Sequence, residues 1–87
     1  MPDDALLVME VADTTFRYDL KIKLPYFAAA AIPEVWIQDV NDDLLHVFRK
    51  PQGNTFFVSL KLDRVATVSP LAFPEVRFSM SELFGTP

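Results

Sequence analysis

The sequence predicts an α/β domain: a mixed sheet with one βαβ unit, an antiparallel hairpin and a short C-terminal helix. Three observations predict it. Two apolar, strand-like runs at residues 5–11 and 34–40 bracket a segment with helical spacing. Two further runs, Leu44 to Arg49 and Thr55 to Leu62, flank the turn-forming stretch Pro51-Gln52-Gly53-Asn54. Near the end, Ser79 and Glu82 have the spacing of a helix capping box.

Taken in order, Ala5-Leu6-Leu7-Val8-Met9-Glu10-Val11 is almost unbroken in its apolar character, as expected of a central strand covered on both faces. Asp13-Thr14-Thr15 ends it. From Phe16 to Ala31, the residues Tyr18, Ile22, Tyr26 and Ala29 recur at helical spacing, with Thr14 or Thr15 as N-cap. Pro25 either kinks this helix or marks its true first turn. Pro33 stops it, and Glu34 to Val40 reads as a second strand. Strand, helix and strand within about 36 residues make one right-handed βαβ unit whose strands run parallel.

Asn41-Asp42-Asp43 is a turn by composition. In the hairpin that follows, Phe56, Val58, Leu60 and Leu62 alternate with Phe57, Ser59, Lys61 and Asp63, the pattern of an outer strand packed on one face and wet on the other. The tail carries two proline stops, Ser69-Pro70 and Phe73-Pro74, a short strand near Val76 to Phe78, and one helical turn capped by Ser79 and stopped by Gly85.

Composition bounds the possibilities. A chain of 87 residues has room for one domain, spanning residues 1–87, which buries about 60–65% of the surface its unfolded chain exposes. Apolar residues at 51% are too many for a disordered segment, and the absence of Cys removes disulfides and thiolate metal sites. No apolar run reaches the roughly 18 residues of a membrane span. The start, Met1-Pro2-Asp3-Asp4, is acidic where a signal peptide is basic, so the expectation is a soluble, cytoplasmic protein. A net charge of −4 weighs against a DNA-binding module standing alone, although nucleases that hold divalent metals also concentrate carboxylates. Two glycines leave no phosphate-binding loop, and no nucleophile elbow is present. The lone His46 reads as a surface or packing residue.

Glu10 is the informative oddity, a carboxylate within an apolar strand. Burying it unpaired costs several kcal/mol, so it needs a cation, a hydrogen-bond donor or exposure where the strand ends. Lys23 follows thirteen residues later on the helix that folds back over this strand. A carboxylate and a lysine can together serve a hard divalent metal and a phosphodiester. The plainer reading stands beside it: Glu10 is solvated at a strand end, and Lys23 pairs with Asp19 four residues before it.

The run Asp3 to Thr15, then Arg17-Tyr18-Asp19, Lys23-Leu24-Pro25, Ala28, Ala30 and Ile32-Pro33-Glu34-Val35-Trp36-Ile37, closely resembles the Uma-type restriction endonuclease family. That family belongs to the PD-(D/E)XK nucleases. Its pattern is a strand ending in V-E-V with a polar turn, an Asp, a Lys four residues on, an alanine-rich helix and a P-E-Y/V-W-I-V-D strand. Leu45 to Pro51 and Leu71 to Gly85 resemble its trailing strands. The resemblance implies the C-terminal half of a restriction-endonuclease-like fold and an endonuclease that hydrolyses DNA with Mg²⁺. It implies Glu10 as the metal-binding acid and Lys23 as the catalytic lysine displaced onto the helix. Asp19 would support the lysine, and Asp13 with Thr14 would shape the adjoining turn.

Several positions depart from that pattern. The family's first metal-binding Asp belongs to a strand upstream of Asp3, and Asp3 and Asp4 are poor substitutes. The expectation is therefore weak or absent activity unless a second copy of the chain or an upstream fragment supplies that Asp. Phe27, Ala29 and Ala31 stand where Tyr, Arg and Gly are usual, and Gln38 replaces an apolar residue, which predicts a wet face there. The alternative is a non-catalytic module that dimerises through its sheet edge and Phe-rich surface.

Overall fold

The computed structural model describes residues 6–14 and 16–84. A four-stranded mixed sheet has the order β1 (Val8–Ala12), β2 (Glu34–Asp39), β3 (Leu44–Gln52), β4 (Thr55–Leu62). β1 and β2 are parallel, and the remaining pairs are antiparallel. The predicted crossover, hairpin and α/β class are all present. Ala5, Asp3, Asp4, Thr15 and Gly85 lie outside the described residues.

β1 is not central. It forms the edge of the described sheet, with Met9 41% and Val11 66% exposed. The strand buried on both faces is β2, all six residues of which are buried. An apolar run marks what a strand is able to bury, and its place in the sheet depends on which neighbours pair with it. Gln38, expected at a wet face, is buried with the rest of β2.

The crossover helix runs through α1 (Phe16–Tyr18), a π-helical segment (Asp19–Lys23) and α2 (Leu24–Ala29). Pro25 supplies the reason. It has no N–H to give the carbonyl of Lys21, and its ring crowds that carbonyl, so the turn before it widens. The Leu24 N–H bonds the Asp19 carbonyl, five residues back. Proline thus both marks a first turn and disturbs the helix ahead of it.

Helical spacing was legible but its orientation was not. Tyr18, Ile22, Tyr26 and Ala29 face solvent, while Phe16, Leu20, Leu24, Phe27 and Ala28 pack towards the sheet. Both stripes have the same period, and the sheet takes the more apolar one. The helix ends in a Schellman turn: Ile32 N–H bonds the Phe27 carbonyl and Ala31 N–H the Ala28 carbonyl, with Ala31 at φ +59°. Phe27 and Ile32 supply the hydrophobic contact that accompanies such a turn.

Two clusters sandwich the sheet. Phe27, Ala28 and Ile32 pack on Ala12, Val35, Ile37 and Phe48 on the helix side. Trp36, Leu45 and Val47 are covered on the other side by Val68 and Met80. In the hairpin, alternation alone would put Phe56 opposite to Phe48, yet their ring centroids are 6.1 Å apart. Lys50, at φ +59°, interrupts the extended backbone between them and turns the hairpin tip over.

The second cover is the C-terminal segment, with the strand pair β5 (Thr67–Val68) and β6 (Phe78–Ser79) and the helix α3 (Met80–Phe84). The capping box forms as its spacing predicts. Ser79 Oγ accepts from the Glu82 N–H at 3.2 Å, and Glu82 Oε1 accepts from the Ser79 N–H at 2.9 Å. Donation to that carboxylate from the Ser79 N–H, and from Ser79 Oγ at 2.9 Å, holds the Glu82 carboxyl below its ordinary value. Glu34, fully buried at the start of β2, fastens the segment down: it accepts from Trp36 Nε1, from Arg49 Nε and from the Leu71 N–H. Among the described residues no helix is long and apolar enough to cross a membrane.

Candidate active site at the Glu10–Lys23 pair

Glu10 stands at the middle of β1 on the face turned to the crossover helix, since its neighbours Val8 and Ala12 both pack into the helix-side cluster. The π-helical segment carries Asp19 and Lys23 over the same strand. Lys23 Nζ donates to Glu10 Oε1 at 2.8 Å and lies 3.6 Å from Asp19 Oδ1. One ammonium therefore joins two carboxylates.

The three groups differ in their contact with water. The Asp19 side chain is only 4% exposed, whereas those of Glu10 and Lys23 are 28% and 45% exposed. Asp19 is the anchored member, and Lys23 reaches outward from it. The hydrogen bond and charge of Glu10, with a smaller effect of Asp19, hold the Lys23 ammonium above its ordinary value. It is a permanent cation at neutral pH. A lysine held charged in this way is a hydrogen-bond donor and a poor proton acceptor.

A family model, Uma2, described as "Putative restriction endonuclease", matches residues 1–81. The chain belongs to this family. No curated protein and no solved structure matches it. Three of the residues that the Uma2 resemblance marks, Glu10, Asp19 and Lys23, gather in one cluster. Asp13 and Thr14 do not join it: both are exposed in the turn after β1, where the Asp13 carbonyl accepts a hydrogen bond from Asn41 Nδ2.

A divalent metal is the cofactor that the Uma2 assignment implies. Among the described residues, no three His, Cys, Asp or Glu side chains stand together as a metal-holding group. Glu10 offers one carboxylate, already engaged by Lys23. These residues alone do not make a metal site.

Sequence reasoning missed what lies beside the pair. Glu10 is level with Ile37 on β2, Ile37 with His46 on β3, and His46 with Lys61 on β4, so the four form one lateral row across the sheet. At the usual strand separation, Glu10 and His46 are about 10 Å apart between Cα atoms. The only signal in the sequence was a histidine within a strand, and nothing local told which residues would become its neighbours.

Proposed function

We propose that the Glu10–Lys23–Asp19 cluster is the phosphodiester-handling centre of a DNA endonuclease. The observation that carries this reading is the 2.8 Å contact between Lys23 Nζ and Glu10 Oε1 in a chain of the Uma2 family. Hydrolysis adds water across a P–O bond, and negative charge gathers on the phosphate oxygens as it does so. Lys23, permanently charged and half exposed, is suited to holding a phosphate oxygen or the incoming water. Glu10 at 2.8 Å and Asp19 at 3.6 Å both hold its Nζ.

Restriction-endonuclease-like families generally use a divalent metal. Because Glu10 and Asp19 are both engaged by Lys23 and no three metal-holding side chains stand together among the described residues, a further carboxylate from outside them would complete a site for Mg²⁺ and the substrate phosphate. A second copy of the chain or a further segment would bring it.

The test uses supercoiled plasmid with Mg²⁺ or Mn²⁺, comparing the unsubstituted protein with Glu10→Ala and Lys23→Ala. Nicking that both substitutions reduce at least about tenfold is the expected result. Cleavage unchanged by either one overturns the reading.

A second reading is favoured by one observation, that β1 is an edge among the described residues, with Val11 exposed. It makes the chain an interaction module that pairs edge to edge with a second copy. A monomer in light scattering across a wide concentration range rejects it.

A further inference from the structure

A cavity of about 420 Å³ opens on the helix side of the sheet, next to the Glu10–Lys23 pair and separate from it. Its size is that of a small-molecule site. Phe16, Leu20 and Leu44 give it an apolar wall, and Leu20 directly follows Asp19 of the neighbouring cluster. Arg17 and Lys61 contribute cations, neither taking part in an ion pair among the described residues. Asp39, buried, and Asp42, exposed, contribute acceptors.

His46 is the group that needs explaining. It is only 6% exposed, it lines this cavity, and its buried Nε2 has no hydrogen-bond partner among the described residues. A buried polar nitrogen without a partner is uncommon and unfavourable. Phe16 at 4.5 Å and Phe48 at 6.5 Å between ring centroids pack beside the imidazole.

We propose that this cavity binds one nucleotide unit, seated against the His46 ring that lines it. A nucleotide has the three features that the lining complements. Its phosphate suits Arg17 and Lys61, its amino, imino or hydroxyl hydrogens suit Asp39 and Asp42, and its flat, weakly polar ring suits the wall of Phe16, Leu20 and Leu44. The two cations and two carboxylates balance, which selects a mixed ligand over a bare polyanion. The choice of a nucleotide rests on the nuclease reading; the cavity and the unpartnered nitrogen do not. Because Glu10, His46 and Lys61 share one lateral row, a strand whose phosphate meets Lys23 can place a neighbouring nucleotide in the cavity.

The chain has a single histidine, so the His46 imidazole proton resonances report on this site alone. Without metal, and therefore without cleavage, the protein is titrated with thymidine 5′-monophosphate, deoxyadenosine 5′-monophosphate, inorganic phosphate and a short single-stranded oligonucleotide. The mononucleotides are expected to shift the imidazole signals saturably. Lys61→Ala, at an exposed position, weakens that binding about tenfold, and Glu10→Ala leaves it unchanged. A shift with the oligonucleotide as well assigns a DNA strand as the source, and a shift with mononucleotides alone assigns a free nucleotide. Equal affinity for inorganic phosphate, or no shift with any of them, overturns the proposal. Binding that persists in a protein without nuclease activity upholds this site and removes only the reading of the Glu10–Lys23 pair.

Discussion

Glu34 and Arg49 face each other directly across β2 and β3, and Arg49 Nε lies 2.8 Å from the Oε2 of a carboxylate with no exposure to water. Arg49 also donates to the Ser69 carbonyl at 2.9 Å, and Leu71 N–H donates to Glu34 Oε1 at 2.7 Å. Two strands and the C-terminal segment thus meet at one buried charge pair.

Removing one partner leaves the other charged and unpaired. Glu34→Ala and Arg49→Leu are each expected to cost about 3–5 kcal/mol, a large share of the roughly 5–15 kcal/mol that holds a small domain folded. Urea denaturation measures it. A loss below about 1 kcal/mol for both would show that the pair does not organise this face.

Ala31 occupies the left-handed position of the Schellman turn, where a Cβ is unfavourable and glycine is at ease. Ala31→Gly is expected to stabilise the protein by up to about 1 kcal/mol and to raise Tm by a few degrees. Ala28→Gly, inside α2 and buried, is the opposing control and lowers Tm. The check is a pair of thermal melts, and a lower Tm for Ala31→Gly would contradict the turn.

Burial pushes the His46 imidazole below its ordinary value of 6.5, with Lys61 acting in the same direction and Asp39 and Asp42 against it. In the unfolded chain this histidine takes its proton at the ordinary value, while in the folded protein it does so only at lower pH. Between those two points the unfolded state binds more protons, so stability falls as pH drops below about 6.5 and levels off once the folded site is protonated. Urea midpoints from pH 7.5 to 5.5 should therefore slope downward, with a shallower slope in His46→Gln. Equal slopes, or an imidazole titrating at or above 6.5 in the folded protein, would refute this.

Much of the local structure is legible in individual residues. Pro33 lies one residue ahead of β2, just past the Schellman turn that ends the helix, Gly53 at φ +62° lies in the hairpin turn, and Ser79 with Glu82 makes the capping box that their spacing announces. Spacing left the Glu10–Lys23 contact open beside a solvated Glu10 and a Lys23–Asp19 pair, and the family resemblance singled the two residues out. The rest needed partners that are distant in the sequence. The Tyr18 and Phe16 stripes share one period and differ only in how apolar they are, and an apolar run such as β1 does not say whether its edges are paired.

By itself, then, the sequence determined most of the elements and the parallel crossover, because each depends on dihedral preferences and spacings that act over a few residues or one helical return. Tertiary structure alone decided that β1 is an edge of the described sheet, that Glu34 is buried against Arg49, and that His46 shares a row with Glu10. Those facts depend on strand register, which is a matter of how whole faces fit together, and no single residue along the chain encodes it.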